Sequence, residues 1–280
     1  MKPILHLNAG VGWSATKPLC DTLSDVGYAI CPNRKAPTTE CNVLFYLYER
    51  KYKPIHASYY WHTNHKKRGL DFVKKDTTLE WYIDYIKSHI VDSHQGVSDF
   101  SNSNTSLPAF FLKQIAPVLE DEFDVRVTTI WRNPVRRSYS EMSAFFYKKW
   151  NDSYKKYPDS ITYWKSQLDK PSFSLPDYVE VYNNWSSAFK KVYPVIMEEV
   201  WENPSELSDF IGYKIDKMSE NLYFPERGTK MPHIEGLEHQ WESEMQDLTD
   251  DDLKYGRNRL EWLYNNFKSK FHYIPESWER

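Results

Sequence analysis

The stretch "ILHLNAGVGWSATKPL", Ile4–Leu19, passes from an apolar run through a small-residue turn into helical spacing. Residues 3–8 predict a short buried strand, and Leu19, Leu23 and Val26 recur at the intervals of a helix behind the turn. Gly10 and Gly12 permit backbone dihedrals and close approaches that a Cβ would block. Successive N–H groups in such a turn, with the N-terminus of the next helix, form a concave nest for an anion. Ser14 and Thr16 add hydroxyl donors. The nucleotide-hydrolase loop G-x-x-x-x-G-K-[ST] is not met, because Ala15 stands at its second glycine and Lys17 is followed by Pro18. The hydroxyl that would ligate magnesium is missing, so the turn suits a phosphate that arrives without a metal.

Further along, "GYAICP" (27–32) predicts a second strand, "TLEWYIDYIKSH" (78–89) a helix, and "GVSDFS" (96–101) a strand end. "LPAFFLKQIAPVLEDEF" (107–123) predicts an amphipathic helix, and "DVRVTTIWRNP" (124–134) a β-branched strand halted by Asn-Pro. Helices follow over 135–150 and 175–193, then the strand "PVIMEE" (194–199) and the helix "NPSELSDFIGY" (203–213). A single helix is expected over 249–271, started by Thr249 as N-cap with acidic neighbours. The Tyr-, His- and Lys-rich run from Glu40 to Gly69 predicts no element. Strands alternating with helices imply α/β architecture, three-layered, with a mostly parallel central sheet covered by helices on both faces. The 280 residues are expected to form one domain, 1–280.

Bulk composition narrows the function. Net charge is −3, so no global field draws the chain to nucleic acid or membrane, and any anion site must be made locally. Cys20, Cys31 and Cys41 fit neither a disulfide framework nor metal-ligand spacing, and no metal is expected. With no signal-peptide core after "PILHL" and no run approaching a membrane span, the expectation is a soluble, cytoplasmic protein. Aromatic residues make up 16%, read first as core and second as the flat walls of a cleft.

At the end of the long strand stands "RNPVRRSYSEM". Arg132 is a forked, always-charged phosphate donor, Pro134 starts a helix, and Ser140 lies two turns along it. This segment closely resembles the R-N-P-x-x-R-x-x-S signature of sulfotransferases that use 3′-phosphoadenosine 5′-phosphosulfate (PAPS). The resemblance assigns the 3′-phosphate to Arg132 and Ser140 and implies a P-loop-like sulfotransferase fold. It aligns "GVGWSATKPL" with the family's 5′-phosphosulfate loop. Gly10, Gly12, Trp13, Ser14, Ala15, Thr16 and Lys17 are the residues it assigns there. Ala15 replaces a glycine of that loop, and Trp13 replaces its frequent lysine or arginine. "FPERGTKMPH" (224–233) resembles the late basic loop over the 3′-phosphate and adenine, with Arg227, Gly228, Thr229 and Lys230 as counterparts. "VSDFSNSN" (97–104) resembles a segment beside the acceptor, and 193–213 a structural stretch of the family. The matches run in order through most of the chain.

The family's general base is a histidine or glutamate near the segment after the second strand. Here that role stays open among His62, His65, Glu40 and His56, with Asp99 as a group that orients the acceptor. "CPNRKAPTTE" resembles a K-E-P segment of carbohydrate members, with Ala36 at the glutamate position and Lys35 as a charge for the sulfuryl group. The resemblance implies transfer from PAPS to a small-molecule or carbohydrate hydroxyl. The alternatives are a P-loop kinase or other nucleotide phosphotransferase, and a non-catalytic nucleotide-binding protein of the same fold.

Overall fold

The computed structural model describes residues 2–10, 16–31, 41–53, 77–91, 96–146, 153–219 and 248–279, except the side chains of residues 17, 31, 144 and 154. The chain forms two compact units, one from Met1–Trp131 and Glu180–Arg227, the other from Arg132–Val179 and Gly228–Arg280.

The first unit is built on a parallel sheet of five strands among the described residues, ordered β2-β3-β1-β4-β5. The strands are β1 (Ile4–Asn8), β2 (Tyr28–Cys31), β3 (Gly96–Asp99), β4 (Asp124–Trp131) and β5 (Val192–Ile196). β1 lies in the middle, with Leu5 level with Val97 of β3 and Val125 of β4. Alternate residues face opposite layers. Leu5, Leu7, Val97, Val125 and Val127 pack against helices α2 (Val43–Tyr52), α3 (Leu79–Lys87), α4 (Ala109–Glu122) and α8 (Tyr178–Ser186). Tyr28, Ile30, Ile130 and Val195 pack against α1 (Thr16–Asp25), α9 (Met197–Glu202) and α10 (Ser205–Ile211). Helices therefore cover both faces. A sheet buried on two sides requires a near-continuous apolar β1, and each fully buried Leu contributes about 1.5–3 kcal/mol.

Strand order decides which helix lies on which face. From β1 the chain moves over β3 to β2, opposite to its later moves from β2 to β3 and from β3 to β4. Right-handed crossovers put connections running in opposite directions on opposite faces. So α1 lies on one face, while α2, α3 and α4 lie on the other. The carboxyl end of β1 is thus a topological switch point, where open α/β sheets bind ligands.

The second unit is helical in its described residues: α5 (Pro134–Phe146), α6 (Ser153–Lys156), α7 (Ser160–Leu168), α11 (Asp250–Arg259) and α12 (Glu261–Phe271), with a short 3₁₀ turn at Glu276–Trp278. Its core holds Trp164 and Trp278, and the first unit's holds Trp131 and Trp185, so these indoles are packing groups.

Three predicted boundaries move. The last strand begins at Val192 rather than Pro194, and Met197-Glu198-Glu199 belong to α9. The expected single helix over 249–271 is two, broken at Leu260 with φ −107° and ψ 13°. Part of the unassigned segment, Val43–Tyr52, is the helix α2, buried through Leu44, Leu47 and Tyr48. Thr249 caps α11 as expected, in a reciprocal capping box with Asp252.

Candidate functional site

In the first unit, the chain leaving β1 is held on several sides. Ala9 N–H continues the sheet to the Thr128 carbonyl at 2.8 Å. The Asn8 side-chain oxygen accepts the Gly10 N–H at 2.8 Å. From the 3₁₀ turn after β3 (Asn102–Ser106), Asn104 Nδ2 donates to the Asn8 carbonyl at 3.3 Å, and the Thr105 hydroxyl donates to the Gly10 carbonyl at 2.9 Å. A Cβ on Gly10 would fall 2.7 Å from Asn8 Oδ1, 2.8 Å from Ile130 Cβ and 3.0 Å from Thr16 Cγ2. Glycine is therefore required there by close approach, and the two ends of the turn, Gly10 and Thr16, lie side by side. α1 begins at Thr16. Gly12, Trp13, Ser14 and Ala15 lie outside the described residues, as does the side chain of Lys17.

The region carries buried polar groups beyond these. Asn8 Nδ2 and Asn104 Oδ1 are buried with no hydrogen-bond partner among the described residues. Asp99, the expected acceptor-orienting group, is fully buried at the end of β3. Its carboxylate accepts the Tyr82 hydroxyl at 2.7 Å, the Ser101 N–H at 3.0 Å and the Ser101 hydroxyl. It braces the turn after β3. That turn then holds α2: Ser101 Oγ accepts the Asn42 N–H at 2.6 Å, with Asn42 in the left-handed region at φ 56°.

His6 is buried in mid-sheet, as its place inside β1 predicts. Its ring lies between the Ser98 hydroxyl on β3 and Thr128 Oγ1 on β4, the latter 2.8 Å from Nε2. Burial first, and the Arg126 charge second, lower its pKa to about 3, so the ring is neutral.

In the second unit, Arg132 and Ser140 meet. Arg132 Nη1 donates to Ser140 Oγ at 3.1 Å. The serine is 3% exposed and the arginine is half-buried. The local fold follows from the residues between them. Asn133 is the N-cap of α5: its Oδ1 accepts the Val135 N–H at 3.0 Å, and its carbonyl accepts the Arg137 N–H at 2.9 Å. Pro134 occupies the first helical position, where no N–H is needed. The buried face of α5 is fastened to α7. Trp164 Nε1 donates to the Ser138 hydroxyl at 3.0 Å, and the Tyr139 and Ser160 hydroxyls lie 2.9 Å apart. Arg137 is buried and paired with Glu141 at 3.1 Å, while Arg136 is half-buried.

A cleft of about 310 Å³ in this unit is lined by Asn133, Val135, Leu253, Arg257, Tyr264 and Trp278, among others. Its walls are mainly apolar, and the Arg257 guanidinium lies 5.0 Å from the centre of the Tyr264 ring.

His62, His65, His56, Glu40, Lys35, Arg227, Gly228, Thr229 and Lys230 lie outside the described residues. No cluster of three or more His, Cys, Asp or Glu able to hold a metal ion occurs among the described residues. Among them, no helix is long and apolar enough to cross a membrane.

No protein-family model matches the sequence, and no curated protein matches it. Among solved structures, the chain is similar to a sulfotransferase from Alicyclobacillus acidocaldarius, with 13% identity, a TM-score of 0.49 and 100% of each chain covered.

Proposed function

We propose that the protein is a PAPS-dependent sulfotransferase acting on the hydroxyl of a small-molecule or carbohydrate acceptor. The observation that carries this reading is the contact between Arg132 and Ser140, the two residues that the signature pairs on the 3′-phosphate. In that contact the serine oxygen accepts from the guanidinium and keeps its own O–H to donate. A phosphate would meet a forked cation and a hydroxyl donor already set beside each other, which lowers the ordering cost of binding.

The residues present fit such a ligand. Gly10 is pressed so closely by Asn8, Ile130 and Thr16 that no side chain fits, and its N–H is held by Asn8 Oδ1, so the start of the turn is fixed in place. In this reading the turn from Gly10 to Lys17 receives the 5′-phosphosulfate, and Arg227, Gly228, Thr229 and Lys230 add contacts over the adenine side. When bound, PAPS supplies the sulfuryl group. One of His62, His65 or Glu40 takes the acceptor proton, which typically contributes about 10²–10⁴-fold, and Lys35 adds positive charge. No metal is required, because the Ser or Thr that follows the lysine of a metal-binding loop is replaced by Pro18.

The test is nucleotide binding without magnesium. Adenosine 3′,5′-bisphosphate should bind more tightly than adenosine 5′-monophosphate, and Arg132→Ala should abolish most of that preference. Equal losses for both nucleotides would remove the 3′-phosphate role from Arg132. Tight bisphosphate binding without sulfate transfer to any acceptor would favour the non-catalytic reading instead.

A further inference from the structure

The turn that carries Arg132 is anchored from behind by the end of the chain. Asn133 Oδ1, already the cap of α5, also accepts the Tyr264 hydroxyl of α12 at 3.0 Å. Asn133 Nδ2 donates to the Trp278 carbonyl at 3.4 Å. On the other side of the same peptide bond, the Arg132 carbonyl accepts the Tyr178 hydroxyl at 2.8 Å. The Trp278 indole is itself gripped by aromatic rings: Phe267 at 4.8 Å, with Tyr178 and Tyr264 both at 6.1 Å between centroids. One aromatic cluster thus holds both carbonyl groups that flank the Arg132–Asn133 link, the backbone one of Arg132 and the side-chain one of Asn133.

We propose that Tyr264, acting through Asn133, is a positioning residue for Arg132 that keeps the guanidinium directed at Ser140 before any ligand arrives. This rests on the reading of Arg132 and Ser140 as a phosphate clamp. An arginine side chain has many rotamers, so its aim depends on where its backbone is fixed. The helix cap alone does not supply that fix, because the bonds from Val135 and Arg136 to Asn133 Oδ1 let the whole turn shift with α5. The Tyr264 hydroxyl ties the turn to a second helix and the Tyr178 hydroxyl to a third, and two supports at an angle hold a position that one cannot. Removing the Tyr264 hydroxyl leaves the cap, the ring packing and the fold in place, so folding and positioning can be separated.

The experiment compares wild type, Tyr264→Phe and Arg132→Ala by calorimetry with adenosine 3′,5′-bisphosphate and adenosine 5′-monophosphate. Tyr264→Phe should weaken the bisphosphate about three- to tenfold and leave the monophosphate within about twofold, as expected for one lost hydrogen bond acting at the 3′-phosphate. If Arg132→Ala loses the preference and Tyr264→Phe keeps it, the positioning role falls while the clamp reading stands. If wild type has no preference, the clamp reading falls and takes the positioning role with it. A second arm needs no nucleotide: proton exchange at the Arg132 guanidinium, followed by ¹⁵N NMR, should quicken in Tyr264→Phe while the buried amides of Val127 and Ile130 exchange unchanged. No change at Arg132, or equal quickening everywhere, overturns the inference.

Discussion

Arg132 Nη1 lies 3.1 Å from Ser140 Oγ, across eight positions of sequence and two turns of α5. The pair is charge-assisted and its serine is buried, so it is set before any anion binds. Ser140→Ala should lower affinity for adenosine 3′,5′-bisphosphate by roughly 10–100-fold, the worth of about 1.5–3 kcal/mol in one charge-assisted hydrogen bond. Arg132→Lys should rescue only part of the loss of Arg132→Ala, because an ammonium cannot bind in a fork. Calorimetric titration decides both, and full rescue by lysine would show that charge alone suffices.

His6 makes stability depend on pH in a defined direction. Its folded pKa, about 3, lies below the unfolded value near 6.5, so between those limits the unfolded chain binds a proton that the folded chain refuses. Stability should therefore fall as pH drops from about 6.5, by about 1.4 kcal/mol per pH unit from this residue alone. Urea titrations between pH 7 and pH 5 measure the slope. His6→Gln should be less stable at pH 7 but flatter over that range, and an unchanged slope would assign the effect elsewhere.

Gly10→Ala should destabilise the first unit. The new Cβ would meet Asn8 Oδ1 at 2.7 Å and Ile130 Cβ at 2.8 Å, both held by the sheet. Overpacking of this kind costs about 1–3 kcal/mol, visible as a lower thermal midpoint. The exit from β1 would shift with it, so the bisphosphate should also bind more weakly.

Gly256 sits inside α11, where alanine ordinarily gains about 1 kcal/mol of helix propensity. Here a Cβ would fall 2.8 Å from both Trp164 Cη2 and Val135 Cγ1. Trp164 is fully buried and tied to Ser138, so it cannot swing aside. Clash outweighs propensity, and Gly256→Ala should lose about 1–2 kcal/mol in chemical denaturation. A stabilised variant would show that the tryptophan yields.

At the start of α11, Thr249→Ala should cost about 1 kcal/mol, the usual worth of an N-cap. Asp252→Asn should cost more. Its carboxylate both closes the capping box and pairs with Lys165 of α7 at 2.5 Å, joining two helices rather than ending one. Comparing the two midpoints measures that difference, and equal losses would leave the ion pair without weight.

Short-range chemistry was legible in the residues alone. The run from Ile4 to Asn8 places Ile4, Leu5 and Leu7 on both faces of an extended chain, which reads as a short strand buried on both sides. Asn133-Pro134 had to end a strand and start a helix, because proline accepts the first helical position and asparagine caps it. Thr249 with its acidic neighbours marked a helix start for the same local reason. The break at Leu260 was not legible, since no glycine or proline marks it and the buried Leu260, Leu263 and Phe267 continue the apolar spacing through it. The brace that Asp99 gives the turn after β3 was not legible, because its partners Tyr82 and Ser101, 17 residues before it and 2 after, belong to other elements.

The sequence by itself determined the alternation of strand and helix, through periodicity and capping within each element, and the parallel sheet that such alternation implies, while the resemblance of its signature segment implied the pairing of Arg132 with Ser140. Only the tertiary structure decided the strand order, the face on which each helix lies and the grip of Tyr264 and Trp278 on Asn133. Those relations join residues far apart in sequence, 145 positions for Asn133 and Trp278 and 183 for Tyr28 and Ile211. They arise from burial and hydrogen-bond satisfaction in three dimensions, which no local pattern encodes.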